Sequence, residues 1–366
     1  MLTQIAKLVG LSANNIKESA FLNRFLPDRV PWQPLGFTIS VTTKCNLKCV
    51  MCARTIYGME GINMSKELFS EAAKHFDNKT ITILGNGEPF LHPNLFEFIE
   101  ICQKKNAKVN LVTNGTLLTK EKSKQLLEYP NIRSVTFSID GAYENYDKIR
   151  INSNFQAVCN NLWRVCELRG KSKYPLLAIN FVGMKSNSDD FPELIRIFGN
   201  YVDAIELAHP IIFLKNSINE HLNKNIEHAK EIFSISNKIS CRAKIILRNL
   251  APHFGGCIEP WTAPYIGING NVYPCCMIGG GDPQEEVTDY YDSTSMVRKI
   301  TSLGNVADFD KIWNGEEMKQ FRNALRKVNV EYLPKNYKGN DTYLDIVNQR
   351  FDCYCKVCSY RWHCAC

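Results

Sequence analysis

Apolar positions along the first two-thirds of the chain switch repeatedly between two periods. Short runs of strand character fall at Phe37–Thr42, Thr80–Leu84, Val109–Val112, Ser134–Ser138, Leu177–Val182 and Ala204–Leu207. Between them, apolar residues recur three and four positions apart, the spacing of one helix face, over Lys66–His75, Leu95–Lys105, Lys120–Glu128, Phe155–Leu168 and Phe191–Phe198. Strands alternating with helices predict an α/β fold, a parallel sheet joined by right-handed crossovers. Six such units are enough for a partial (β/α)6 barrel. The rhythm fades after about residue 236. Residues 257–366 are turn-rich and hold eight of the chain's cysteines. The expected organisation is therefore an extension with a Pro-containing linker over 1–36, a barrel over 37–236, a connecting segment over 237–256, and a small cysteine-rich domain over 257–366.

Composition narrows the class. The chain has 366 residues, 45% hydrophobic and 22% charged, which suits an ordinary buried core. Its 15 cysteines are far above normal usage. They imply either disulfides in a secreted protein or metal ligands in a reducing compartment. The first residues lack the basic start, apolar stretch and cleavage site of a signal peptide. No run approaches the roughly 18 apolar residues of a membrane span. The expectation is a cytoplasmic metalloprotein with no membrane partner. A net charge of +7, scattered rather than blocked, gives nucleic-acid binding no support.

The chemistry begins in Thr43-Lys-Cys-Asn-Leu-Lys-Cys-Val-Met-Cys52. Cys45, Cys49 and Cys52 have the spacing C-x3-C-x2-C directly behind the first strand. Three thiolates on one loop can hold three irons of a [4Fe–4S] cluster and leave the fourth iron open. A structural zinc site is the rival reading, but it would want a fourth ligand nearby, and His75 lies on a predicted helix. Further motifs fall at successive strand ends, where barrels of parallel strands gather their active sites. They are Gly85-Asn-Gly-Glu-Pro89, Thr113-Asn-Gly115 and Ser138-Ile-Asp-Gly141, with Arg150 shortly after.

In that order, these motifs resemble the radical SAM superfamily. The resemblance implies an open iron that chelates S-adenosylmethionine and, after one-electron reduction, a 5′-deoxyadenosyl radical that abstracts a hydrogen atom from the substrate. By the same resemblance Gly87 and Glu88 match the Gly-Gly-Glu-Pro loop that meets the methionine amino group. Asn86 departs from the usual Gly. Asn114 belongs to a family strand end, and Ser138 and Asp140 would face ribose or substrate. Arg150 would pair with the methionine carboxylate, and Met51 would rest against the adenine. Asp140 is also the candidate general base for a dehydrogenation.

The tail resembles the SPASM and twitch extensions of that superfamily. The matching residues are Cys257, Gly270, Cys275, Cys355, Cys358 and Cys364. The resemblance implies at least one auxiliary [4Fe–4S] cluster, with Cys257, Cys275, Cys355 and Cys358 as ligands. Cys276, Cys353, Cys364 and Cys366 remain for a second site, and a zinc ribbon is the alternative. Cys102, Cys159 and Cys166 fit buried helix positions. Cys241 is a candidate hydrogen-atom donor near the barrel mouth, while His92 and His363 read as loop or cap residues.

Relatives with such extensions modify peptides and proteins, so a peptide or protein side chain is the expected substrate. A dehydrogenase or epimerase of a small molecule such as an aminoglycoside or sugar is the alternative. Only 44 residues precede Cys45, too few for a leader-peptide-binding domain. A reducing partner such as flavodoxin or ferredoxin is implied. The reading of another class is a non-catalytic iron–sulfur electron carrier, which would not cleave S-adenosylmethionine.

Overall fold

The computed structural model describes residues 26–248, 258–291 and 294–330. All six expected strands form: β1 (Gly36–Ser40), β2 (Thr80–Leu84), β3 (Lys108–Thr113), β4 (Ile132–Ser138), β5 (Leu176–Val182) and β6 (Ala204–Ala208). Each pairs in parallel with the next. After β1 come a one-turn helix α1 (Ala53–Ile56) and then α2 (Lys66–Ala73). The later crossovers carry α3 (Leu95–Lys104), α4 (Lys120–Leu127), α5 (Tyr143–Ile149), α6 (Phe155–Arg169) and α7 (Asp190–Phe198).

Local chemistry sets the helix starts. Ser65, Thr119 and Asn154 each accept a hydrogen bond from a first-turn amide, of Leu68, Lys122 and Ala157 respectively.

Buried and half-buried or exposed positions alternate along β2, β3 and β5 and over 134–138 of β4. Ile81, Ile83, Val109, Leu111, Val135, Phe137, Ile179 and Phe181 are almost wholly buried, packed against helix residues such as Phe69, Phe98, Leu162 and Leu194. Their neighbours, among them Thr82, Asn110, Thr136, Ser138 and Asn180, are half-buried and turn to the opposite, concave face. The outer face therefore makes the core. The inner face is left polar enough to meet a ligand.

The rhythm continues one unit beyond its expected limit. Helix α8 (Ile226–Lys238) leads into β7 (Lys244–Leu247), parallel to β6. β7 is only four residues long, beginning with a lysine, which hides it from a periodicity reading. The sheet also grows at its other edge. β8 (Tyr265–Ile266) lies parallel to β1, with Thr38 opposite Tyr265, and β9 (Val272–Tyr273) lies antiparallel to β8. One nine-stranded sheet, β9-β8-β1-β2-β3-β4-β5-β6-β7, thus runs through the expected connecting segment into the cysteine-rich part.

The C-terminal part adds helices α9 (Glu259–Thr262) and α10 (Cys276–Gly279), the antiparallel hairpin β10 (Glu286–Tyr291) with β11 (Thr294–Lys299), and helices α11 (Phe309–Trp313) and α12 (Glu316–Val330). Side-chain donors tie it to the early linker, among them two tryptophans and an arginine. Trp261 Nε1 donates to Pro27 O at 2.7 Å, Trp313 Nε1 to Trp32 O at 2.7 Å, and Arg322 Nη1 to Asp28 O at 2.9 Å. Trp261, Trp313 and Arg322 are all essentially inaccessible to solvent.

Candidate functional site

The cysteine loop leaves the carboxyl end of β1 and is pinned by backbone. Lys48–Cys49 pairs antiparallel with Arg150–Ile151, and Val50 N donates to Ile149 O at 3.0 Å. Cys45, Cys49 and Cys52 line one cavity of about 220 Å³, together with Met51, Gly87, Glu88, Asn114, Ser138 and Arg150. The residues singled out along the sequence for this region are thereby brought together, except Asp140, which stands just behind Arg150.

Glu88 organises the floor. It is buried, and its carboxylate accepts from Thr113 Oγ1 at 2.7 Å, Asn114 N at 2.7 Å and Phe90 N at 3.1 Å. Burial pushes its carboxyl up, against the pull of those three donors.

The glycines around Glu88 have a steric reason. A Cβ on Gly87 would collide with Lys44 O and Thr42 O, and one on Gly85 with Thr42 O. The close approach is thus to the backbone that leads into Cys45, and Glu88 N seals it by donating to Lys44 O at 2.7 Å. Asn86 is free of that contact. Its side chain donates to Asp282 O at 2.7 Å, bridging to the C-terminal part.

Asp140 and Arg150 form a buried pair. Arg150 Nε and Nη2 lie 2.8 and 2.6 Å from Asp140 Oδ2, and Val182 N donates to Oδ1 at 2.8 Å. Burial opposes both charges, but Asp140 and the nearby Cys49 hold Arg150 above the usual arginine range as a cation. Arg150 Nη1 points at Cys49 Sγ from 3.9 Å. Asn114 Nδ2 lies 3.9 Å from Cys45 Sγ, and Leu47 N donates to the same sulfur at 3.4 Å. Burial raises the Cys45 thiol and pushes that of Cys49 up to about 12. These sulfurs therefore need a metal to become thiolates at neutral pH.

That donor set fits an iron–sulfur cluster. N–H groups face two of the three sulfurs, an arrangement that tunes such clusters. Among the described residues no three His, Cys, Asp or Glu side chains converge on a single ion. A cubane spreads its thiolates over separate irons and needs no such convergence.

A second cavity of about 210 Å³ adjoins the first, and the two share Met51, Cys52, Gly85, Asn86 and Val182. Cys276 lines it from α10, and its Sγ lies 3.3 Å from the buried carboxylate of Glu259. Burial raises Glu259 as well. Cys275, the N-cap of α10, is buried. Cys257, Cys353, Cys355, Cys358, Cys364, Cys366 and His363 lie outside the described residues.

Sequence reasoning missed His209 and Tyr265, which also line this second cavity. His209 directly follows β6, at the same strand-end position as the motifs that were noticed, and is fully buried. Tyr265 carries no motif; parallel pairing with β1 brings it in.

Four other positions resolve simply. Cys241 sits beside Gly199, ahead of β7, at the amino end of the strands, opposite the cluster loop. It is not at the barrel mouth, which corrects that expectation. Cys102 and Cys159 are core residues. His92 ties its turn to the segment before α2, with Nε2 3.0 Å from Met64 O and Nδ1 accepting from Asn94 N.

Comparison with known proteins identifies the architecture. Residues 39–198 match the family model of the radical SAM superfamily, and residues 257–336 that of the SPASM iron–sulfur cluster-binding domain. The AdoMet-dependent heme synthase of Methanosarcina barkeri is 36% identical over 304 residues, 71% of this chain and 82% of that protein. The chain belongs to the radical SAM superfamily. Being a radical SAM protein with a SPASM region, it uses a [4Fe–4S] cluster with S-adenosylmethionine and auxiliary iron–sulfur chemistry. The antilisterial bacteriocin subtilosin biosynthesis protein AlbA of Bacillus subtilis is 35% identical over 133 residues, 35% of this chain and 30% of AlbA. Streptococcus suis SuiB bound to precursor peptide SuiA shares the fold at a TM-score of 0.58 and 18% identity, over 79% of this chain and 66% of that one. The chain spans about half the length of other curated relatives it matches. Among the described residues no helix is long and apolar enough to cross a membrane.

Proposed function

We propose that this radical SAM protein is an oxidoreductase that modifies a side chain of a peptide or protein. The carrying observation is the single cavity in which Cys45, Cys49 and Cys52 meet Glu88, Asn114, Ser138 and Arg150. In this reading the three cysteines hold the cluster, and Gly87, Glu88, Asn114, Ser138 and Met51 line the S-adenosylmethionine site. When bound, the cluster and its cosubstrate supply one-electron chemistry that removes a hydrogen atom from an unactivated C–H bond.

The chain's own residues position and shield. Glu88, fixed by three donors, keeps the carboxyl ends of β2 and β3 in register. Arg150 presents a fixed cation to the cavity. Asp140, whose two oxygens are both engaged, serves as its positioning residue rather than as a base. Cys257, Cys275, Cys355 and Cys358 are the proposed ligands of one auxiliary cluster, with Cys276, Cys353, Cys364 and Cys366 left for a second.

The likeness to AlbA and the shared fold with peptide-bound SuiB support a peptide substrate. A small-molecule substrate is the second reading, favoured by the match along most of the heme synthase. Isotope transfer separates them. The protein is reconstituted without oxygen, reduced, and given S-adenosylmethionine with deuterated host extract, divided by size into peptides and proteins or small metabolites. Deuterium in 5′-deoxyadenosine from the first fraction alone is the expected result. Deuterium from the second alone would overturn the peptide reading. Failure to bind S-adenosylmethionine would return the chain to the electron-carrier class.

A further inference from the structure

The second cavity has a wall chemistry of its own. The described residues lining it include no Lys, Arg, Asp or Glu. Apolar side chains on its wall include Met51, Ile211, Phe213 and Met277, and Tyr265 adds its ring. It opens onto the cluster cavity through shared Met51, Gly85, Asn86 and Val182, so a group seated there lies beside the reacting site.

Its size is informative too. About 210 Å³ falls below the roughly 300–1,000 Å³ of pockets that enclose whole drug-sized ligands. It suits one side chain of a larger molecule, the rest of which stays outside. A charged group would lose hydration there and, among the described lining residues, would meet no Lys, Arg, Asp or Glu, with His209 a basic side chain on the wall.

One wall is held firmly. The Phe213 ring meets Tyr57 edge-on, with centroids 5.9 Å apart. Tyr57 follows the cluster loop, and its hydroxyl donates to Thr288 O at 2.9 Å while accepting from Thr288 N at 2.8 Å. Tyr290 N donates to Ile212 O at 2.8 Å. The β10–β11 hairpin thus braces the Ile211–Phe213 segment against α1.

We propose that this cavity is a substrate chamber for an uncharged apolar or aromatic side chain, with Phe213 and Met277 setting the selectivity. The inference rests on the peptide or protein reading above and deepens it: the residue presented for chemistry is aliphatic or aromatic, not lysine, glutamate or a sugar.

Photo-crosslinking tests it on the reconstituted full-length protein with S-adenosylmethionine bound. The probe is the N-acetyl amide of photo-leucine, a diazirine analogue of leucine. Competitors are the N-acetyl amides of phenylalanine, lysine and glutamate, and glucosamine. Labelling should map to the Ile211–Phe213 segment or to Met277. Phenylalanine amide should suppress it at a roughly tenfold lower concentration than the charged amides or glucosamine, reflecting the cost of burying an unpaired charge. Phe213→Asp and Met277→Asp should each cut labelling by roughly tenfold, whereas Phe213→Leu should keep it. S-adenosylmethionine binding by each variant reads whether it has folded, and the wild-type competition stands if one has not. Equal competition by the lysine amide or glucosamine would overturn the proposal, as would labelling outside the chamber in protein that binds S-adenosylmethionine. Deuterium transfer from small metabolites alone, with phenylalanine-selective labelling intact, would instead defeat the peptide reading and leave the chamber's preference standing.

Discussion

The two cysteine-bearing regions are built in opposite ways. The loop of Cys45, Cys49 and Cys52 takes its three candidate ligands from one short segment, and Glu88, Asn114 and Arg150 are delivered to it by successive crossovers of one sheet. Cys275 caps a short helix on which Cys276 faces Glu259, and of the other cysteines expected to act with them all but Cys257 are far away in sequence. A site concentrated on one loop declares itself in spacing. A site gathered from distant segments declares itself only by resemblance, because nothing local sets its geometry.

The contrast can be broken by substitution, and Cys49→Ala should have the largest effect. It should reduce 5′-deoxyadenosine formation to background while the auxiliary iron stays bound, measured as nucleoside and iron per chain. Cys275→Ala should do the reverse to the iron, removing auxiliary metal while S-adenosylmethionine still binds. If either variant empties both sites, the two regions assemble as one unit and the contrast fails.

Next comes the pair behind the loop. Arg150→Ala leaves Asp140 as an uncompensated buried charge and should cost about 3–5 kcal/mol of unfolding free energy. Denaturant melts of wild type and variant measure it, and a loss under about 1 kcal/mol would mean water reaches Asp140. Gly87→Ala forces Lys44 to move and should cost about 1–3 kcal/mol, with less iron held at the cluster loop. Full iron occupancy in that variant would show that the loop tolerates the shift.

Smaller still is Tyr57→Phe. It deletes both hydrogen bonds to Thr288 and should cost about 1 kcal/mol, with faster amide exchange confined to the β10–β11 hairpin. Cys241→Ser should leave 5′-deoxyadenosine formation unchanged, since Cys241 lies at the far end of the strands. A fall in nucleoside yield, with stability intact, would reinstate it as a participant.

The barrel was legible because its signals are local. Strand runs such as Thr80–Leu84 and helix faces such as Lys120–Glu128 depend on residues a few positions apart, and the structure reproduces both to within a residue. Strand-end placement put Glu88, Asn114, Ser138 and Arg150 at one end of the sheet, and they line one cavity there. What escaped depends on distant pairing. β8 is two residues long and exists only because β1 accepts it. The Asn86 tie to Asp282 and the Glu259 contact with Cys276 link segments whose proximity no window of sequence reveals. The role of Gly87 was half legible: its place in the cofactor loop could be named, but not the Lys44 backbone that its missing side chain clears. Arg150 and Asp140 could be named separately, and only the fold shows that each occupies the other.

The position of β1 has a consequence in time. It is an interior strand, held between β2 on one side and β8 on the other. On the ribosome β1 emerges early, and β8 follows only after most of the chain. At ordinary elongation rates that interval is on the order of tens of seconds. Throughout it, β1 presents an open row of backbone donors and acceptors, the kind of edge that captures strands from other chains. A nascent copy is therefore most prone to aggregate before residue 265 is made. A chain cut short of that point would carry the exposed edge for its whole lifetime.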